Sequence, residues 1–81
     1  MRVRVEFTTE PFHGEGDLPS HVTAAAAPLV DAGLDPELGP LGTSVEGEAD
    51  ALIAALSQGI RAALDKGATR VTVQVERADH A

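Results

Sequence analysis

The chain is 81 residues long, room for a single domain spanning 1–81 with a modest core. Its net charge of −7, two phenylalanines and lack of Trp and Tyr argue against nucleic acid, because phosphates go unneutralised and bases find no stacking platforms. There is no cysteine for disulfide or thiol chemistry, which leaves the compartment open. With no run near the ~20 apolar residues of a membrane span and no apolar signal segment, a soluble cytoplasmic protein without membrane partners is expected.

Val3, Val5 and Phe7 alternate with Arg2, Arg4, Glu6 and Thr8, and this period of two predicts a strand with one buried face. Pro11 to Pro19 is a turn-rich connection, and Ser20 stands where a helix N-cap would accept a free backbone N–H. A helix should follow from about His21 to Ala32, turning Val22, Ala26, Leu29 and Val30 inward and stopping at Gly33. Pro28 lacks an N–H and crowds the carbonyl of Ala24, which predicts a kink or a break.

Between Leu34 and Gly47 the prolines and glycines are too dense for a helix. Two short strands are expected instead, joined near Gly39-Pro40-Leu41-Gly42. Leu41, Thr43 and Val45 then share one face, Ser44 and Glu46 the other. From Ala49 to about Lys66, Leu52, Ile53, Leu56, Ile60, Ala63 and Leu64 recur at helical spacing. Glu48 and Asp50 suit the positive start of that helix, Arg61 and Lys66 its other end. After Gly67 a last strand, Arg70 to Arg77, sets Val71, Val73 and Val75 against Thr72, Gln74 and Glu76. The order β-α-β-β-α-β is the split pattern of an α+β, ferredoxin-like fold, a four-stranded antiparallel sheet with two helices on one face. Its first and third strands are central.

Few residues invite catalysis. Gly14-x-Gly16 before a helix suggests a dinucleotide turn, but the third glycine is missing and Glu15 and Asp17 would repel a pyrophosphate. His13, His21 and His80 have no partners at metal-ligand spacing. His21 is expected to be exposed at the helix start, and His80 to lie in a polar tail. His13 reads as a loop residue or a ligand contact. Neither Ser20 nor Ser44 has the surroundings of a nucleophile. Glu6 and Glu46 fall on the same outer face of adjacent strands, where they could act as paired carboxylates; ion pairs with Arg2, Arg4 or Arg77 are the preferred reading. Thr43 points inward among Leu41 and Val45, so its hydroxyl should be hydrogen-bonded or face a cavity.

Pro40-Leu41-Gly42-Thr43-Ser44-Val45-Glu46-Gly47, the acidic start Glu48-Ala49-Asp50 and the later Lys66-Gly67-Ala68-Thr69-Arg70-Val71 together resemble the thiamine-binding domain family. Pro11, Gly14, Leu18 and Ser20 fit its N-terminal half more loosely. The resemblance implies a ferredoxin-like fold, homodimers or homotetramers assembled through the sheets, and non-enzymatic binding of thiamine or its hydroxymethylpyrimidine moiety, with no cofactor. Thr8, Thr43, Ser44 and Glu46, with Ser20 at the helix start, are the ligand-binding candidates. The chemistry is compatible. An acidic surface is more often a solubility device, but it also suits a cationic thiazolium, and a carboxylate with hydroxyls can satisfy an aminopyrimidine edge. Two other readings stand beside this carrier or sensor: a ligand-free oligomeric interaction module, and an enzyme of the dimeric α+β barrel type. Calorimetry separates the first two; turnover of the ligand would reveal the third.

Overall fold

The alternation at the start of the chain becomes β1 (Arg2–Glu10), with Val3, Val5, Phe7 and Thr9 buried and Arg2, Arg4 and Glu6 exposed. It is followed by α1 (Ser20–Asp31), β2 (Glu37–Leu38), β3 (Thr43–Glu48), α2 (Ala49–Asp65) and β4 (Arg70–Arg77). These elements come from a computed structural model that describes residues 1–11, 18–39 and 42–78. Phe12, His13, the Gly14-x-Gly16 turn with Glu15 and Asp17, Pro40, Leu41 and His80 lie outside the described residues.

The sheet runs β2-β3-β1-β4 with every neighbouring pair antiparallel, so β1 and β3 are central, as the ferredoxin-like pattern requires. On the helix side Val5 faces Val45 and Val75, and Phe7 faces Thr43 and Val73. On the other side Glu6 faces Ser44 and Gln74, and Arg4 faces Glu46 and Glu76. Both helices pack on the first of these faces, where Leu29, Leu52 and Val5 are the largest fully buried side chains. No helix among the described residues is long and apolar enough to cross a membrane.

The helices are rotated relative to their expected inner stripes. In α1 the buried residues are His21, Ala25, Ala26 and Leu29, while Val22 is half-buried and Val30 is 57% exposed. In α2, Leu52, Leu56 and Ala63 are buried as expected. Ile53 and Leu64 face solvent, and Ala49, Ala55 and Gly59 take inward places. The cause is how closely the helices approach. A Cβ built on Gly59 would stand 2.5 Å from the carbonyl oxygen of Ala25, so only glycine fits that crossing. Small residues at the seam push the bulkier ones to its rim.

The helix ends also differ from expectation. Ser20 is the first residue of α1 rather than its cap: Pro19 holds the cap position, and the Ser20 hydroxyl donates to the Lys66 carbonyl at 3.4 Å. α1 continues through Pro28 without a break. Pro28 lies in the last turn, so only one helical hydrogen bond is forfeited, and its own carbonyl still accepts from the Ala32 N–H at 3.1 Å. Gly33 and Gly67, at φ of +83° and +105°, supply the left-handed residues just beyond the two helices.

At the start of α2 the cap is Glu48. Its Oε1 accepts from the Asp50 N–H at 3.0 Å and its Oε2 pairs with the Met1 ammonium at 2.9 Å. The ammonium first, then the helix N–H, hold the Glu48 carboxyl below the ordinary glutamate range. A depressed folded-state pKa stabilises the fold above the unfolded value and loses that contribution as the pH falls through the folded one. Thermal melts should therefore show a stability loss through the acid range below about pH 4.5, and the Glu48 share of that loss should vanish in Glu48→Gln. Pro28→Ala should raise stability by about 1–3 kcal/mol in denaturant titrations, since the helix is continuous and gains an N–H donor.

Candidate functional site

With both helices on one side, no element among the described residues covers the opposite face of the sheet, and strand alternation lines it with polar side chains. One row across it reads Glu37, Ser44, Glu6, Gln74; the next reads Glu46, Arg4, Glu76. Thr8 lies opposite Thr72. The expected ion pairs form in two ways. Arg2 Nε reaches Glu46 across the strands at 3.8 Å, and Arg4 Nη2 reaches Glu6 along β1 at 3.0 Å. All four side chains are at least half exposed, so each pair contributes only about 0–1 kcal/mol, and a ligand could replace either at little cost.

An open groove of about 530 Å³ lies on this surface, within the range of small-molecule sites. β1 contributes Arg4, Glu6, Phe7 and Thr8, the β2–β3 turn Gly39 and Gly42, β3 Thr43 and Ser44, and β4 Thr72 and Gln74. Beside it is a smaller hollow of about 220 Å³ lined by Arg4, Asp35, Glu37, Ser44, Val45 and Glu46. Gly42 sets the rim: a Cβ there would stand 3.1 Å from both the Phe7 carbonyl oxygen and Thr8 Cγ2.

The structure thus gathers Thr8, Thr43 and Ser44 around the groove and places Glu46 in the adjoining hollow, which shares Arg4 and Ser44. Thr43 borders the groove, but it is 4% exposed and shares the helix-facing side of β3 with Val45. Ser20 is not brought there: it lies in the helical layer against Lys66. Sequence reasoning passed over Gln74 and Thr72. Their alternation with the valines was the available signal, but only the pairing of β4 with β1 sets them beside Glu6 and Thr8.

His21 corrects another expectation. It is 5% exposed, wedged between the end of β1 and the start of α1. Its Nε2 lies 3.0 Å from the Pro11 carbonyl, which can only accept, so that nitrogen carries the proton in the neutral ring. Nδ1 then accepts from the Thr9 hydroxyl at 2.6 Å. Both atoms are on the helix side of the sheet, away from the groove, and the arrangement ties β1 to α1. Among the described residues no three His, Cys, Asp or Glu side chains are grouped to hold a metal. Thr9→Val keeps the shape but strips a buried nitrogen of its donor, and should lower the unfolding free energy by about 1–3 kcal/mol in urea titrations.

A family model described as thiamine-binding protein matches residues 5–80. Among solved structures, a domain of unknown function, DUF77, from Bacillus cereus is 28% identical, with a TM-score of 0.65 over 93% of this chain and 72% of that one. A Thermotoga maritima protein, provisionally assigned to thiamine biosynthesis or salvage, is 26% identical, with a TM-score of 0.63 over 94% of this chain and 81% of that one. A Streptococcus pneumoniae protein at 22% identity shares the fold, with a TM-score of 0.68 over 94% and 83% of the two chains. No curated protein matches the sequence.

Proposed function

This chain belongs to the thiamine-binding protein family, and from that premise we propose that it binds thiamine or its hydroxymethylpyrimidine moiety in the sheet-face groove, as a carrier or sensor that leaves the ligand unchanged. The observation that carries this reading is the row in which the Glu6 carboxylate stands between Ser44 and Gln74 at the groove. An aminopyrimidine presents ring acceptors beside an amino donor. The Gln74 amide offers both roles, the Ser44 hydroxyl either, and Glu6 accepts. A thiazolium charge would be offset by Glu6 and, in the adjoining hollow, by Glu46.

Within this proposal the groove acts through hydrogen bonds and charge, with a lining of carboxylate, amide and hydroxyl side chains. The Thr9–His21 pair, which has the reach of a nucleophile and base, is buried on the other face. We further propose that the protein is cytoplasmic and works as a homodimer or homotetramer, because a small domain with a bare sheet face and open edges gains by covering them.

Calorimetry with thiamine, its phosphates and hydroxymethylpyrimidine tests the ligand. Glu6→Gln should weaken the ligand that binds about tenfold or more, with the melting temperature of the free protein hardly moved. Glu46→Gln should have the smaller effect. No heat with any of the three classes would leave the ligand-free interaction module as the better reading.

A further inference from the structure

We propose that Arg4 sets the charge selectivity of the groove: its guanidinium holds the place of a ligand cation at Glu6, and a cationic ligand binds by displacing it toward the adjoining hollow. The inference rests on the reading of the groove as a ligand site, and it names the residue whose charge the ligand must replace. Arg4 is the one cationic side chain among the described residues that line the groove. It is again the one cation lining the hollow, in company with Asp35, Glu37 and Glu46. Its Nη2 lies 3.0 Å from Glu6 Oε1, on the carboxylate between Ser44 and Gln74. A guanidinium is flat, carries a delocalised positive charge and offers N–H donors. A cationic heterocycle with an amino group presents the same features to the same oxygens.

The neighbours of the two charges are unlike, and this makes the exchange possible. Across the strands Arg4 faces Glu46 on one side and Glu76 on the other. Such partners have Cβ atoms about 4.5–5.5 Å apart, a spacing that an arginine side chain spans easily. Turning away from Glu6, Arg4 therefore meets other carboxylates. Glu6 has no second cation to turn to in its register: it faces Ser44 and Gln74, and its same-face neighbours along β1 are Arg4 and Thr8. Both members of the pair are at least half exposed, and a pair of that kind holds its partner by roughly fivefold or less. An uncharged donor can share the Glu6 carboxylate with Arg4, because two oxygens offer about four acceptor sites. A second cation cannot sit beside the first without repulsion.

Calorimetry on the full chain at low ionic strength tests this with thiamine, a cation, and uncharged hydroxymethylpyrimidine. The proteins are the unmodified chain, Arg4→Gln, Glu6→Gln and the double variant, each checked for folding by circular dichroism. Arg4→Gln should tighten thiamine roughly fivefold, the strength of the pair it removes. It should leave hydroxymethylpyrimidine within about twofold, since that ligand displaces nothing. In the Glu6→Gln background the same substitution should bring thiamine no gain, because no carboxylate is left to release. A gain that persists without Glu6 would make Arg4 a general like charge and overturn the displacement. Thiamine binding that Arg4→Gln leaves unchanged or weakens would overturn this inference alone, with the groove still the site. Absence of binding of either ligand to both the unmodified chain and Arg4→Gln would overturn the groove reading and this inference together.

Discussion

β1 hydrogen-bonds to β3 on one side and β4 on the other, and its inward Val3, Val5 and Phe7 form the floor on which both helices rest. Every other element takes its position from that strand. Its nine residues hold strict alternation, so its register fixes which side chains of both neighbours face the helices and which face out. A slip of one residue would turn Glu6 and Arg4 into the core and Val5 into solvent, and burying those charges would cost far more than the strand gains. One constraint therefore makes both the core and the candidate site.

The site is the reverse side of that core. Two helices suffice to cover one face of a four-stranded sheet, and the described residues place no further helix or strand on the other. The uncovered face is polar because alternation leaves it so, and the groove on it is bounded by Gly42, whose carbonyl accepts from the Gly39 N–H at 2.8 Å and which lies close against Thr8. A groove built on strands is well placed to hold ligand-binding groups in fixed relation, since ladder hydrogen bonds pin the backbones of β1 and β3 on both sides and that of β4 on one.

Thin stability is offset by tight contacts at a few points. Gly59 lets α2 pass against the Ala25 carbonyl, and His21 joins the end of β1 to the first turn of α1 through both of its ring nitrogens. These contacts use small or polar side chains, because the sequence has few large ones to spend. They lie on the helix side, so the groove face can vary in charge and hydrogen bonding without disturbing them.

Much of this was legible in the residues alone. The alternation of β1 and β4, the helical spacing of Leu52, Leu56 and Ala63, and the glycines after each helix determine the elements, their order and the identity of the outer face, because strand and helix periods are local properties of the chain. Thr8, Ser44 and Glu46 could be assigned to that face for the same reason. Other features are not local. Whether Val30 and Ile53 or Ala25 and Gly59 face inward depends on how closely two helices approach. Whether His21 is buried depends on what the end of β1 presents above it. That Glu48 rather than Ser20 caps a helix with its side chain depends on where each chain entry turns. Gln74 joins the groove, and Ser20 leaves it, only because strand order places β4 beside β1 and α1 on the far side of the sheet. Period reports which face a residue is on; only packing decides which residues meet there.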